Sequence, residues 1–565
     1  MGMVEATAAN SEALMEITIG DLLARMAAQY PDDNFVKYTD RDYCRTWKEF
    51  NEEAEEVARG FLNLGVKKGD HIAIWATNIP EWLLTLFATA KIGAVLVTVN
   101  TNYKVFELEY LLKQSDTKYL VMCGGTRHIN YFDIINELIP ELETAGGGEL
   151  NVNRLPCLKY IFHTEAEEHK GIAHFRSLYG KNSPADFAAY DRRYAQLTPH
   201  DIVNMQYTSG TTGFPKGVML THHNIVNNGK AIGDCMKFTH NDRLCVTVPF
   251  FHCFGLVLAI MSCLTHASSM VPIDAYQPEK CMQAIQDELC TAFHGVPTMF
   301  IAILDHPEFK NYKFPRLRTG IMAGSPCPVK VMKQVMDEMG ANEITITFGQ
   351  TELSPACTMT TTTDSIERRV STVGKALPGV ECKIINPETG EICPTNVPGE
   401  FCARGYNVMR GYYKMEEATR QTIDADGWVH SGDLCTCDED GYYKVTGRIK
   451  DMIIRGGENI YPKEIEEFLY TVHDKVKDVQ VIGVPSVKYG EEVMACIILK
   501  EGVAWTEDEA KKVVAANMAF HKVPSYVAFV ESFPMNGAGK IMKYKMREWA
   551  VEFLGLQDAA NIVTA

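Results

Sequence analysis

Tyr207-Thr208-Ser209-Gly210-Thr211-Thr212-Gly213-Phe214-Pro215-Lys216-Gly217 gathers three glycines, four Ser/Thr hydroxyls and one lysine into eleven positions. An extended run, Ile202 to Tyr207, leads into it, so the segment reads as a strand opening into a glycine-rich loop. That composition suits a phosphate cradle. Glycine lets backbone N–H groups converge on an anion, hydroxyls add donors, and the lysine adds charge. The spacing is not G-x-x-x-x-G-K-[ST], so this is not a Walker A loop. Composition alone also fits a flexible Gly/Ser/Thr surface loop, and the surrounding chain has to separate the two.

Upstream, helical and extended patterns alternate. Thr46 and Glu49 form a capping box, after which Phe50, Ala54, Val57, Ala58 and Phe61 share one helical face. Gly65 is a stop signal, HIAIWATN (71–78) reads as a strand, 80–91 as the next helix and 94–98 as the next strand. This rhythm predicts a parallel sheet covered by helices in an α/β (mixed α+β) chain. Gly146 to Gly148 reads as a surface loop. Downstream, Pro378-Gly379, Pro398-Gly399, Asp426-Gly427 and Asp440-Gly441 cut residues 370–449 into short segments, a β-rich subdomain. After Lys450, Pro462 starts a helix that buries Ile465, Phe468, Leu469 and Val472. Strand-like VQVIGV and VMACIIL, a helix opened by Thr506 and Glu509, and a strand YVAFV follow. The expected domains are residues 1–449 and 450–565.

The 565 residues are 46% hydrophobic and 22% charged, with 55 basic against 72 acidic side chains and a formal charge of −17. These proportions exclude a disordered, collagenous or disulfide-stapled chain and argue against a nucleic-acid binder, which needs a basic face. Seventeen cysteines without framework spacing point to a reducing compartment. Glu5, Glu12 and Glu16, with no arginine before Arg25, give the N-terminus neither a signal-peptide nor a transit-peptide look. The most apolar stretch, 82–99, is broken by Lys91 and Gly93 and reads as a helix and a buried strand rather than a transmembrane segment. A cytoplasmic protein is expected.

In residue order, YTSGTTGFPKG resembles the phosphate-loop signature of the adenylate-forming superfamily, which includes acyl-CoA synthetases, peptide-synthetase adenylation domains and firefly luciferases. Other stretches resemble the remaining family motifs, in the family's order. Ala323-Gly324-Ser325-Pro326 resembles the adenine-contacting turn. Thr347-Phe348-Gly349-Gln350-Thr351-Glu352 resembles the Y-G-x-T-E element, whose aromatic ring lies along adenine and whose glutamate helps hold Mg²⁺; Phe348 here replaces tyrosine. Ser431-Gly432-Asp433-Leu434 matches the segment whose aspartate grips the ribose, since a carboxylate accepts from both hydroxyls. Gly447-Arg448 opens the next motif, with Arg448 as the second ribose contact. The resemblance covers roughly residues 18–545. It is closest to acyl-CoA synthetases, the medium-chain ones among them, on GRIKDMIIRGGENIYPKEIE (447–466) and PFFHCFG (249–255).

The resemblance implies an ATP-dependent ligase that forms an acyl-adenylate and pyrophosphate, then passes the acyl group to coenzyme A with release of AMP. Joining two anions calls for cations and positioning rather than a protein nucleophile. Lys216 and the loop N–H groups are expected to hold the β- and γ-phosphates, and Glu352 with Thr208 to place Mg²⁺. PMNGAGKIMK resembles P-x-x-x-[ST]-G-K-[IV] and puts Lys540 at the adenylation lysine, bridging the acid carboxylate and the α-phosphate. Ala538 stands there in place of the usual Thr or Ser, after an atypical Asn536-Gly537. Lys450 falls at the family's hinge, and Gly456-Gly457 at the pantetheine tunnel, where a bare backbone leaves room. His252 is expected at the mouth of the acyl pocket, and the apolar run 254–264 as a core helix that also walls it. PFFHCFG lacks the aspartate with which peptide-synthetase domains pair a substrate amine, which favours a fatty or aryl acid. The expected partners are a small carboxylic acid, ATP and coenzyme A; monomer or homodimer, and peripheral membrane contact, stay open. The alternatives are an aryl-acid CoA ligase, or a ligase that delivers its acyl-adenylate to a carrier protein or an amine.

Overall fold

The helix Trp47–Asn63 begins where its capping box places it. The Glu49 N–H donates to the Thr46 hydroxyl at 3.2 Å, and the Thr46 N–H donates to the Glu49 carboxylate at 2.9 Å. The pair satisfies backbone donors that the helix cannot satisfy itself. Phe50, Ala54, Val57, Ala58 and Phe61 are all fully buried, as their spacing predicts. The next helix, Pro80–Ile92, has Pro80 in its first turn and ends on Gly93 at φ +70°. Lys91, which breaks the apolar run, is itself buried, with its ammonium 3.2 Å from Glu55 and 5.5 Å from the Tyr194 ring. Among the described residues no helix is long and apolar enough to cross a membrane.

The computed structural model describes residues 13–560 except 147, 209–213, 325–326, 328, 388, 449–452, 461, 473–474, 535–540 and 542. Of the expected site residues, Ser209 to Gly213, Ser325, Pro326, Lys450 and Lys540 lie outside the described residues.

Eight strands form one sheet, in the order Gly411–Tyr412, Lys216–Thr221, Ile202–Thr208, Val95–Thr98, His71–Trp75, Tyr119–Met122, Tyr160–His163, Ala173–His174. From Ile202–Thr208 onward they run parallel, while Lys216–Thr221 returns antiparallel. A second sheet of seven strands is parallel from Glu343–Thr345 through Thr319–Ile321, Ala292–His294, Arg243–Val246 and Ser269–Pro272 to Asn34–Lys37, with Cys44–Thr46 antiparallel at its edge. The two sheets are tied by Asn78, whose amide donates to the Val248 and Ile273 carbonyls and accepts the Phe250 N–H. That inward turn ends the strand at Trp75, three residues before the alternation alone would end it.

A four-stranded antiparallel sheet follows, in the order Val380–Ile385, Gly399–Gly405, Val429–Cys437, Tyr443–Arg448. One buried core runs from Ile19 to Tyr443. From Ile453 onward the chain has two cores of its own, one on each face of the hairpin Val476–Ser486 and Gly490–Leu499. Val493, Ala495 and Ile497 face one core, Met494 and Cys496 the other, the two-residue period of a strand. Ile465, Phe468 and Leu469 of the helix Pro462–Val472 are buried as expected, and the Thr506–Glu509 capping box forms.

The run 254–264 is a buried helix, as expected, and its turns are of two kinds: Phe254–Met261 is π-helical, and Ser262–His266 is α. The Ser262 hydroxyl donates to the carbonyls of Leu258 at 2.6 Å and Ala259 at 3.0 Å, and His294 Nε2 also bonds the Leu258 carbonyl at 3.1 Å. These donors satisfy carbonyls that the wider turns leave without ordinary i→i+4 partners.

His222 and His294 are fully buried, and burial holds each imidazole down at about 4. Unfolded histidine titrates near about 6.5, so below that pH the unfolded chain takes up protons that the folded chain refuses. The stability supplied by these neutral rings is complete above about pH 6.5 and is lost as pH falls towards about 4. We expect the protein to be less stable at about pH 5 than at neutral pH, by on the order of 2 kcal/mol per histidine, with a correspondingly lower apparent Tm. Thermal unfolding of His222→Asn should show a smaller acid-induced drop; a drop as large as that of the parent protein would refute this assignment.

Candidate active site

Thr208 is paired directly across from Lys216, so these two residues close the mouth of the glycine-rich loop between them. The Thr208 hydroxyl is buried and makes no hydrogen bond among the described residues. A buried hydroxyl left so is costly unless a ligand completes it. The Lys216 ammonium lies 4.0 Å from the centre of the Tyr412 ring. The Tyr412 hydroxyl donates to Glu352 Oε1 at 2.6 Å. Tyr412 is delivered by the edge strand Gly411–Tyr412, which pairs with Lys216–Thr221. One aromatic side chain therefore connects the loop lysine to the acidic residue.

Glu352 sits in the short turn Thr351–Leu353, about nine-tenths buried, with its carbonyl accepting the Met409 N–H at 2.9 Å. Beside it, the Cys253 thiol is 2.8 Å from Gln206 Oε1 and 3.3 Å from the Thr351 hydroxyl. These contacts tie the strand before the loop to PFFHCFG and to the T-F-G-Q-T-E segment. His252 keeps solvent access although protein surrounds it, as a ring lining a deep cleft would. Desolvation lowers its pKa to about 4, and its Nδ1 accepts the Phe254 N–H at 3.2 Å. At neutral pH the ring is thus uncharged, with the proton on Nε2.

The expected adenine and ribose contacts meet at Phe401. Phe348, half-buried, stands edge-on to the Phe401 ring at 5.1 Å, and the Phe401 carbonyl accepts from the Ser431 hydroxyl at 2.6 Å. Ser431 in turn accepts the Asp433 N–H at 3.1 Å. Gly432 N–H donates to Glu400 Oε1 at 3.0 Å, while Glu400 Oε2 lies 3.0 Å from His430 Nδ1, so the turn presenting Asp433 is held on both sides. Asp433 is paired with Arg448 across neighbouring strands. Gly349 passes so close to Pro355 that a Cβ would stand 1.9 Å from its carbonyl oxygen, which only glycine permits. The Thr347 hydroxyl is engaged by the Thr358 carbonyl at 2.8 Å, and Gln350 is partly exposed beside it.

Gly456 and Gly457 both have positive φ, +58° and +89°. A Cβ on Gly457 would lie 2.8 Å from Val296 Cγ1, and the Gly324 carbonyl is close by. The C-terminal unit therefore rests Gly457 against Val296 and Gly324, while Gly456 faces Tyr489 of its own unit. Sequence reading did not single out Tyr412, Gln206, Cys253, Phe401, Glu400 or His430. Gln206 and Cys253 lie within or beside quoted motifs, but nothing in their type marks them as partners.

Residues 23–413 match the family described as AMP-binding enzyme, and residues 464–540 match AMP-binding enzyme C-terminal domain. The Bacillus subtilis protein YngI, which bears the name of an acyl-CoA synthetase, is 50% identical over 97% of this chain and 99% of its own. The acyl-CoA ligase sidI of Aspergillus fumigatus is 39% identical over 96% of this chain and 92% of its own. The human mitochondrial medium-chain acyl-CoA ligase ACSF2 is 36% identical over 95% and 88%. Among solved structures, a Mycobacterium tuberculosis fatty acyl CoA synthetase matches with a TM-score of 0.67 at 25% identity, over 94% of this chain and 98% of its own. The ordered motifs, the two-part architecture and these relatives lead to one conclusion: the chain belongs to the AMP-binding enzyme family and, within that adenylate-forming superfamily, to the acyl-CoA synthetases.

Proposed function

We propose that this acyl-CoA synthetase activates a medium-chain or other fatty acid with MgATP and transfers the acyl group to coenzyme A. The observation that carries the reading of the site is the link from Lys216 through Tyr412 to Glu352 at the mouth of the phosphate loop. The acid carboxylate attacks the α-phosphorus and pyrophosphate leaves; the coenzyme A thiol then attacks the anhydride carbonyl and AMP leaves. Lys216 and the loop N–H groups hold the β- and γ-phosphates, and Tyr412 orients Lys216 and Glu352 together. Thr208 and Glu352 offer the hard oxygen donors that Mg²⁺ takes, and the Thr208 hydroxyl, buried with no hydrogen bond among the described residues, fits such a role. Mg²⁺ bound there would offset the charge that develops on the leaving pyrophosphate.

Asp433 and Arg448 take the ribose, and Phe348 lies along adenine. Gly324 belongs to the segment expected beside it, of which Ser325 and Pro326 lie outside the described residues. Lys540 supplies the second cation, at the carboxylate and the α-phosphate, and must leave before the thiol can reach the same carbonyl. Lys450 is the hinge for that exchange; it falls in the passage between the body's core, which ends at Tyr443, and the lid's, which starts at Ile453. Gly456 and Gly457 then line the pantetheine tunnel. His252, neutral near pH 7, acts as an uncharged donor at the pocket mouth rather than as a general base. The buried, uncharged wall Phe254–Met261 suits an alkyl chain. None of the seventeen cysteines is in a disulfide, which supports a reducing, cytoplasmic setting.

The test of the whole reading is a panel of C2 to C18 and aryl carboxylates, scored by pyrophosphate release and by thioester formation with coenzyme A. Medium-chain acids should give the highest kcat/KM; an aryl optimum, or pyrophosphate without thioester, would overturn the proposal. Lys540→Ala should abolish adenylation while sparing thioester formation from supplied acyl-adenylate, and equal loss of both would remove its assigned role. Tyr412→Phe keeps the ring under Lys216 but deletes the bond to the Glu352 carboxylate. Such charge-assisted bonds are worth about 1.5–3 kcal/mol, so adenylation should slow by about 10- to 100-fold. An unchanged pyrophosphate-release rate would show that Glu352 does not need that hydroxyl.

A further inference from the structure

The most deeply buried ion cluster described lies on the seam between the body and the lid. Lys522 is 3% exposed, and its ammonium is 2.6 Å from Glu107 Oε1 and 2.6 Å from Glu464 Oε1. The two carboxylates are themselves only 3% and 10% exposed. Glu464 lies on the lid's own helix Pro462–Val472, so that pair travels with the lid. Glu107 belongs to the body: it is in the first turn of the helix Val105–Gln114, where its other oxygen accepts the Lys104 N–H. Lys104 in turn reaches across the seam to the Ala515 carbonyl, in the last turn of the lid helix Glu507–Asn517. The Lys522 ammonium also lies 5.4 Å from the Tyr103 ring of the body.

The cluster is mechanically connected to the glycine pair. Arg455, immediately before Gly456, donates to the carbonyls of His521 and Val523, the two residues flanking Lys522, and to the Ser525 hydroxyl. Its Nε is 2.6 Å from Glu492. The turn carrying Lys522 and the strand presenting Gly456 and Gly457 are thus one rigid piece. Where that piece docks on Glu107, Gly457 rests on Val296 beside Gly324.

We propose that Lys522 is a positioning residue for thioester formation: paired with Glu464 within the lid, it docks on Glu107 and so holds Gly456-Gly457 against the body. This rests on the proposed two-step function. Burial by itself would lower the ammonium's pKa, but Glu107 and Glu464 outweigh it and raise the pKa overall, so the charge persists in the seam. Removing Lys522 leaves two carboxylates facing each other across the seam with no cation between them, and removing Glu107 deletes the body-side charge that attracts the ammonium. Adenylation, which needs the lid in its other orientation, does not use the Glu107 contact.

The test separates the half-reactions in Lys522→Met and Glu107→Gln. Both variants should keep pyrophosphate release in the absence of coenzyme A within about twofold of the parent, which also reports a folded lid. Both should lose at least about tenfold in thioester formation from supplied acyl-adenylate. Lys522→Arg should recover part of that loss, and Glu107→Gln should add little in the Lys522→Met background. Equal loss of both half-reactions, or no loss of the second, would overturn the proposal. A parent protein that releases pyrophosphate but forms no thioester would instead refute the proposed function, and this inference with it.

Discussion

The antiparallel return of Lys216–Thr221 along the edge of a parallel sheet is the constraint on which the site depends. Parallel strands normally hand the chain to a crossover helix, which would carry the residues after Thr208 away to the next strand. Here the chain turns straight back, and Thr208 and Lys216 face each other across the loop mouth. The return also creates a new edge, and Gly411–Tyr412 pairs with it from nearly two hundred residues downstream. Tyr412 can stand between Lys216 and Glu352 only because that edge exists. The buried contacts of Gln206, Cys253 and Thr351 then brace the same corner from below.

Local order carried most of the recognisable information. Capping boxes at Thr46 and Thr506, the buried face of the helix Trp47–Asn63, and its stop at Gly65 depend on residues a few positions apart, so they can be read along the chain. The glycine-rich loop was read in the same way, from glycines and hydroxyls in succession, and its residues 209–213 lie outside the described ones. Tyr412, Phe401 and the Glu400–His430 brace were not legible, because their roles arise from strand pairing between distant segments. The end of the strand at Trp75 was set by Asn78 bonding to the other sheet, again a long-range demand. An uncharged run such as 254–264, with Ser262 as its one hydroxyl, has no polar face to report its period, so α and π turns look alike along the sequence.

Charge is distributed by the same logic. The chain carries a formal charge of −17, yet cations are held in its interior, Lys91 beside Glu55 and Lys522 between two carboxylates, with the half-buried Lys216 over Tyr412. Each is held by an opposite charge or a π face, as burial requires. The negative net charge thus belongs to the molecule as a whole, while single cations are held at fixed buried and half-buried positions. On the proposed reading of the site, attraction for ATP and coenzyme A rests on a few fixed positions, and screening by salt affects it less than it would a diffuse basic surface.

The π-helix Phe254–Met261 has a consequence for how such a protein changes over evolutionary time. A wide turn amounts to an extra residue accommodated within an otherwise continuous helix. Losing one residue there would restore α geometry and change which side chains of the π segment face the core, while the helix beyond it keeps its register. A different set of groups would then face whatever lies against this wall, with no change in hydrophobic composition. Single-residue insertions and deletions in this segment, rather than substitutions, are a direct route to a pocket of new shape.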